Sequence, residues 1–249
     1  MNLDRVIAVR NAKTVYRDGD RCIKVFNDKY TKADVLNEAL NQARVEETGL
    51  NIPKILEVTQ VGDKWAIVLE YITGKTMDRL MKEESEKKAE YMERFVDLQI
   101  SVFEKRCPKL SRLRDKLGGN ILFSELDATT RVDLHARLDS MPRNNELCHG
   151  DFNPSNIIIR EDGTPFILDW SHATVGNGEA DVARTFLYFY LNGEKESAKA
   201  YLEMFCNKSG SSKEDIKKWM PIVAASLSVK GNEREREFLL SWENIVDYE

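Results

Sequence analysis

Over its first seventy or so residues the chain repeats short apolar runs broken by turn residues, and that pattern predicts strands. Positions 5–10, 13–17 and 21–26 are rich in Val and Ile, and Asp18-Gly19-Asp20 between the last two has the composition of a tight hairpin turn. A three-stranded antiparallel sheet is expected there. From 31 to 48 the spacing changes. Ala33, Leu36, Ala39, Leu40 and Ala43 recur at helical intervals, Thr31 or Lys32 stands near the start, and Gly49 follows the end. A second strand pair, 52–61 and 64–72, is expected across Gly62-Asp63, and the continuous run Ala66-Ile67-Val68-Leu69 predicts a buried strand.

Past Thr73-Gly74-Lys75 the apolar spacing becomes helical, over 81–93 leading into 91–105, then 124–139, 179–191, 195–208, 213–229 and 233–246. Two short strands, 156–160 and 165–169, interrupt this region and are joined by Glu161-Asp162-Gly163-Thr164. An α+β fold follows, with an N-terminal lobe at 1–73 and a mainly helical lobe at 74–249, Gly74 marking the boundary. A length of 249 residues suits one large domain or two lobes sharing a cleft.

Composition works by exclusion. Hydrophobic residues make up 42% and charged residues 32%, which is ordinary globular usage and not that of a disordered or fibrous chain. The net charge is −5, and Lys and Arg are scattered without forming a stripe, so nucleic acid is not an expected partner. Cys22, Cys107, Cys148 and Cys206 are far apart and form no CxxC pair, which fits reduced thiols better than a disulfide frame or a structural metal. The opening MNLDRVIAVR has no apolar core of signal-peptide length, and nowhere do about 18 apolar residues run together, so the expected location is cytoplasmic and off the membrane.

The chemistry concentrates in Cys148-His149-Gly150-Asp151-Phe152-Asn153-Pro154-Ser155-Asn156, directly before three isoleucines. Asp151 and Asn156 lie on a loop entering one strand of the predicted hairpin and Asp169 ends the other, so the three can converge at one end of it. Two carboxylates and an amide carbonyl are hard oxygen donors, suited to Mg2+ rather than zinc or copper. Magnesium of this kind accompanies phosphates. Phosphoryl transfer needs an oriented acceptor hydroxyl and neutralised phosphate charge, which leaves one carboxylate to act as base. A cation is available in Lys24, inside the apolar strand Cys22-Ile23-Lys24-Val25-Phe26, where it needs a partner. Glu38 on the following helix is the expected partner, with Asp34, Glu46 and Glu47 as competitors on that helix.

The segment HGDFNPSNIII followed by FILDW resembles the aminoglycoside phosphotransferase and choline kinase family, which has the protein-kinase-like fold. The likeness spans nearly the whole chain, since Lys24, Glu38, the connector Glu70-Tyr71-Ile72-Thr73-Gly74 and the loop at 149–156 occur in the family's order. It implies ATP and Mg2+ as cofactors and a small molecule bearing a hydroxyl as the partner. It also implies Asp151 as catalytic base, Asn156 and Asp169 as metal ligands, and Lys24 on the α- and β-phosphates, oriented by Glu38. Backbone groups of Glu70 and Ile72 would hold the adenine edge, while Asp181 and His149 would brace the catalytic loop. One departure concerns the phosphate cover. No GxGxxG precedes Lys24, and the corresponding turn, Arg10-Asn11-Ala12-Lys13-Thr14, would supply backbone amides with Thr14 or Lys13. Ser171-His172-Ala173-Thr174-Val175-Gly176 leads straight to the next helix without an activation segment, which disfavours a regulated protein kinase.

The resemblance leaves the acceptor open among an aminoglycoside, an amino alcohol and a sugar. Glu233, Glu235, Glu237, Glu243, Asp247 and Glu249 tilt the expectation toward a cationic acceptor, although a solvated helix face accounts for them as well. Trp170, Trp219, Trp242, Tyr188 and Tyr190 read as core aromatics rather than as a cage for a quaternary ammonium. The alternatives are an atypical Rio-like protein Ser/Thr kinase and a nucleotide-binding pseudokinase. The second is disfavoured because Lys24, Asp151, Asn156 and Asp169 are all present.

Overall fold

A computed structural model of the protein describes residues 3, 5–10, 12–229 and 233–244. Strands β1 (Val6–Arg10), β2 (Lys13–Asp18) and β3 (Arg21–Phe26) form where the apolar runs predict them. Gly19, at φ 62°, supplies the left-handed backbone that the two-residue turn between β2 and β3 requires. Helix α1 (Lys32–Glu46) begins at a capping box in which the Thr31 side chain and Asp34 satisfy each other's backbone N–H groups. Strands β4 (Ile55–Val61) and β5 (Lys64–Glu70) follow, and all five join one antiparallel sheet in the order β1-β2-β3-β5-β4.

The apolar run in β5 is unbroken because both faces of that strand are covered. Ile67 and Leu69 pack with Phe26, Val35 and Ala39 beneath α1, while Ala66 and Val68 pack with Ile23 on the opposite face. Strand alternation puts Lys24 on the same face as Cys22 and Phe26, under α1.

The chain forms two compact units. One runs through Lys87 and takes in Pro154–His172; the other comprises Lys88–Asn153 and the chain from Ala173 onward. The first unit thus extends beyond the boundary expected at Gly74. The reason is a small sheet in which β6 (Lys75–Thr76) pairs with β8 (Ile157–Ile159), itself paired with β9 (Pro165–Ile167). Gly74 allows the approach: a Cβ there would lie 2.3 Å from the Ile159 carbonyl oxygen. Helix α2 (Met77–Glu83) then packs on β8, and a 3-10 turn at Ser85–Lys87 breaks the continuous helix expected over 81–93.

The second unit contains α3 (Lys88–Phe103), α4 (Leu113–Leu122), α5 (Ala128–Ser140), the strands β7 (Glu146–Cys148) and β10 (Thr174–Gly176), and α6 (Gly178–Leu191). It continues with α7 (Lys195–Ser209), α8 (Lys213–Ser228) and α9 (Glu233–Leu240), the last followed by a 3-10 turn at Ser241–Asn244. Its core includes Phe95, which meets the rings of Phe152, Phe189 and Tyr201. Phe186, Tyr190, Phe238 and Trp242 form a second aromatic group with ring centroids 4.9–6.4 Å apart. In α9 the exposed Glu233 and Glu237 alternate with Arg234 and Arg236, and Arg236 pairs with Glu125. The side chain of Glu243, with Asp247 and Glu249, lies outside the described residues.

Among the described residues no helix is long and apolar enough to cross a membrane, and the four cysteines are free. Because α1 carries Glu38, its cap should matter to both fold and site. Thr31→Ala is expected to lower the free energy of unfolding by about 1 kcal/mol, with Thr31→Ser retaining most of it, as read by denaturant titration.

Candidate active site

In the first unit three of the charged residues singled out in the sequence meet. Lys24 Nζ lies 3.2 Å from Glu38 Oε1 and 3.1 Å from Asp169 Oδ1. Lys13 Nζ takes the other Glu38 oxygen at 2.7 Å. Two of the three competitors for Lys24 are occupied elsewhere: Asp34 in the α1 cap, and Glu46 accepting the Ile55 N–H at 2.7 Å. Burial works against the Lys24 charge, but Asp169 and Glu38 beside it outweigh that cost and hold the ammonium above its ordinary value. Burial also opposes the Asp169 charge, yet Lys24 and then Lys13 hold its carboxyl well below the usual carboxylate range. Asp169 has φ 59°, an unusual conformation for any residue but glycine, tolerated best by Asp and Asn.

A cavity of about 300 Å³ adjoins this network, and its lining includes Lys13, Lys24, Asn156 and Asp169. Val15, Cys22, Leu69 and Ile158 give it apolar walls. Glu70 and Ile72 also line it, and the Glu70 N–H is taken by the Lys54 carbonyl at 2.9 Å. Thr14 is not part of this lining. It pairs with Val25 between Lys13 and Val15, and strand alternation turns its side chain to the other face, so of the two residues expected there Lys13 is the one that lines the cavity.

Among the described residues no group of three or more His, Cys, Asp or Glu side chains gathers to hold a metal. One carboxylate kept ionised by two lysines and one amide oxygen, both lining one cavity, do fit Mg2+. That ion takes few protein ligands and completes its shell with phosphates and water.

The second unit fixes the loop around Asp151 from α6. Asp181 accepts the backbone N–H of His149 at 3.0 Å and of Gly150 at 2.7 Å, and Thr185 donates its hydroxyl to the Phe152 carbonyl at 2.8 Å. Between them, Arg184 Nη2 lies 3.2 Å from Asp151 Oδ1. Positions 181, 184 and 185 share one helix face, so a single helix contacts four successive loop residues. Burial pushes the Asp181 carboxyl up, opposed by His149 and by the two backbone N–H groups. His149, fully buried, accepts the Asp151 N–H on Nδ1 at 3.1 Å, which makes it part of the loop's bracing. Gly150 has φ 76°, a turn that favours glycine immediately before Asp151. Sequence reasoning missed Arg184 and Thr185, whose only signal was their spacing of three and four from Asp181.

The chain belongs to the phosphotransferase enzyme family, whose model matches residues 8–218. Known structures share its fold at low identity. A thermostable mutant of aminoglycoside phosphotransferase APH(4)-Ia is 14% identical with a TM-score of 0.71, over 98% of this chain and 93% of that one. A choline/ethanolamine kinase family protein from Mesorhizobium loti is 15% identical with a TM-score of 0.66, over 98% and 87%. The choline kinase LicA from Streptococcus pneumoniae is 14% identical with a TM-score of 0.65, over 98% and 93%. No curated protein sequence matches the chain. The fold is therefore kinase-like, with an N-terminal antiparallel sheet and a mostly helical remainder, and the protein is a phosphotransferase.

The Lys24–Asp169 pair sets a pH dependence. The folded value for Asp169 lies below its unfolded one, so its contribution to stability is complete above about pH 4 and is lost as pH falls further. The folded value for Lys24 lies above its unfolded one, so its contribution is complete below about pH 10 and is lost as pH rises. The stability difference between wild type and Lys24→Met, measured by denaturant unfolding, should be flat from about pH 5 to 9 and shrink on both sides.

Proposed function

We propose that the protein transfers the γ-phosphate of MgATP to a hydroxyl of a small molecule, with Asp151 as the base. The observation that carries this reading is the buried Lys24, bridging Glu38 and Asp169 in a cavity that Asn156 also lines. Lys24 would hold the α- and β-phosphates, and Glu38 would fix the direction of its ammonium. The Glu70 carbonyl and the backbone of Ile72 would meet the adenine edge. Asn156 and Asp169 would hold Mg2+, which neutralises phosphate charge when bound.

Asp151 would accept the acceptor's proton as its oxygen attacks phosphorus. Arg184 on one carboxylate oxygen and Asp181 on the loop backbone would hold that carboxylate in place, as a general base requires. A small-molecule acceptor also fits the short run from Asp169 to α6 at Gly178. Among relatives of the fold, APH(4)-Ia has been solved with AMP-PNP and hygromycin B, and LicA with AMP. An aminoglycoside, an amino alcohol and a sugar are the acceptor classes to test first, and cytoplasm is the compartment where ATP would be supplied.

The test is ADP release from MgATP across a panel of aminoglycosides, choline, ethanolamine and sugars. One chemical class of acceptor should support turnover. Asp151→Asn should lower it by about a hundredfold to ten-thousandfold while MgATP affinity stays unchanged. Near wild-type turnover in Asp151→Asn would remove the base assignment. Arg184→Met should lower kcat with no change in KM for MgATP, and Arg184→Lys should recover part of the loss.

A further inference from the structure

The second unit holds a cavity of about 410 Å³, within the size range of small-ligand pockets, that the phosphotransfer chemistry does not use. Its lining contains three guanidinium groups, Arg112, Arg114 and Arg143, against the single carboxylate of Asp115. The chain as a whole carries a net charge of −5, so this concentration of positive charge is local. We propose that the cavity binds a small molecule through an oxyanion group, a phosphate or a carboxylate.

The three arginines are held differently. Arg114 donates to the carbonyls of Leu138 and Met141 at the end of α5 and lies 3.6 Å from Asp139 Oδ1, which fixes and partly neutralises one guanidinium in the wall. Among the described residues the Arg112 side chain makes one hydrogen bond, to Asn145 Oδ1. Arg143 makes no hydrogen bond or ion pair among the described residues. A planar guanidinium with unused donors matches the paired oxygens of a carboxylate or phosphate. Arg112 is also the N-cap of α4 and provides no side-chain cap, while the first-turn residues Leu113, Arg114 and Asp115 belong to the lining. The helix therefore adds its positive end to the same cavity. Asn144 and Asn177 offer further polar groups, and the buried Trp219 gives an apolar surface for the rest of the ligand.

The cavity is separate from the candidate base. It gathers residues at the Glu146 end of β7, where Glu146 pairs with Gly176, whereas Asp151 follows the Cys148 end. Gly176 is required at this wall, because a Cβ there would stand 2.5 Å from Leu113 Cβ.

The test is calorimetric titration of inorganic phosphate and of glucuronate at matched chloride ionic strength. The proteins compared are wild type, the double variant Arg112→Gln/Arg143→Gln, and Lys24→Met. Both arginines are exposed, and an unchanged thermal midpoint confirms that the double variant folds. The expected result is saturable binding of at least one probe, weakened about tenfold or more in the double variant and retained in Lys24→Met. Stronger phosphate than glucuronate binding would assign the phosphate form, and the reverse the carboxylate form. Absence of saturable binding by both probes would overturn the proposal. So would binding that the double variant leaves unchanged, including phosphate binding that only Lys24→Met abolishes.

Discussion

A lysine buried in a strand has to be paired, and much of the first unit follows from that constraint. Lys24 lies on the α1 face of β3, with 13% of its side chain exposed, where an unpaired ammonium would be costly. Glu38 meets it from α1 and Asp169 from the segment after β9. Two parts of the chain distant in sequence are thereby tied to one strand. The α1 cap, the packing of Val35 and Ala39 on Phe26, Ile67 and Leu69, and the left-handed backbone at Asp169 all serve to bring those carboxylates to the lysine. The resulting set of charges lies beside a cavity with apolar walls from Val15, Leu69 and Ile158.

The second unit solves a different problem with the same economy. Its loop at 149–152 carries the Asp151 carboxylate, and α6 fixes that loop with one face. Asp181 takes two backbone N–H groups, Arg184 the Asp151 carboxylate and Thr185 the Phe152 carbonyl. Phe152 is anchored from its other side against Phe95 in the core, so the loop is held by hydrogen bonds and by packing together. A carboxylate held this way has little freedom to reorient.

Much of this was legible because local rules governed it. The period-two runs of β1 to β5, the helical spacing and cap of α1, and an isolated Lys in an apolar strand all leave marks within a few residues. The rest depended on distant contacts. Helix α4 escaped notice because Gly118-Gly119 breaks its pattern, although Leu113, Leu117 and Ile121 do form a buried stripe. Strands β7 and β10 are three residues each, too short to show a period. Whether Thr14 or Lys13 faced the cavity depended on the exact parity of β2, and a one-residue shift inverts that answer. Arg184 stands 33 positions from Asp151, with nothing local to join them. The extent of the first unit was hidden for the same reason, since the pairing of β6 with β8 and the packing of α2 on β8 carry it past Gly74.

In the proposed reaction phosphate leaves ATP for a small molecule. Its most direct test is to incubate the protein with γ-32P-labelled ATP, Mg2+ and a deproteinised cell extract, then separate the labelled products. The expected result is label in a new small-molecule fraction, dependent on Mg2+ and on the protein. Label that stays in ATP, or that moves only to the enzyme itself or to added protein, would contradict it.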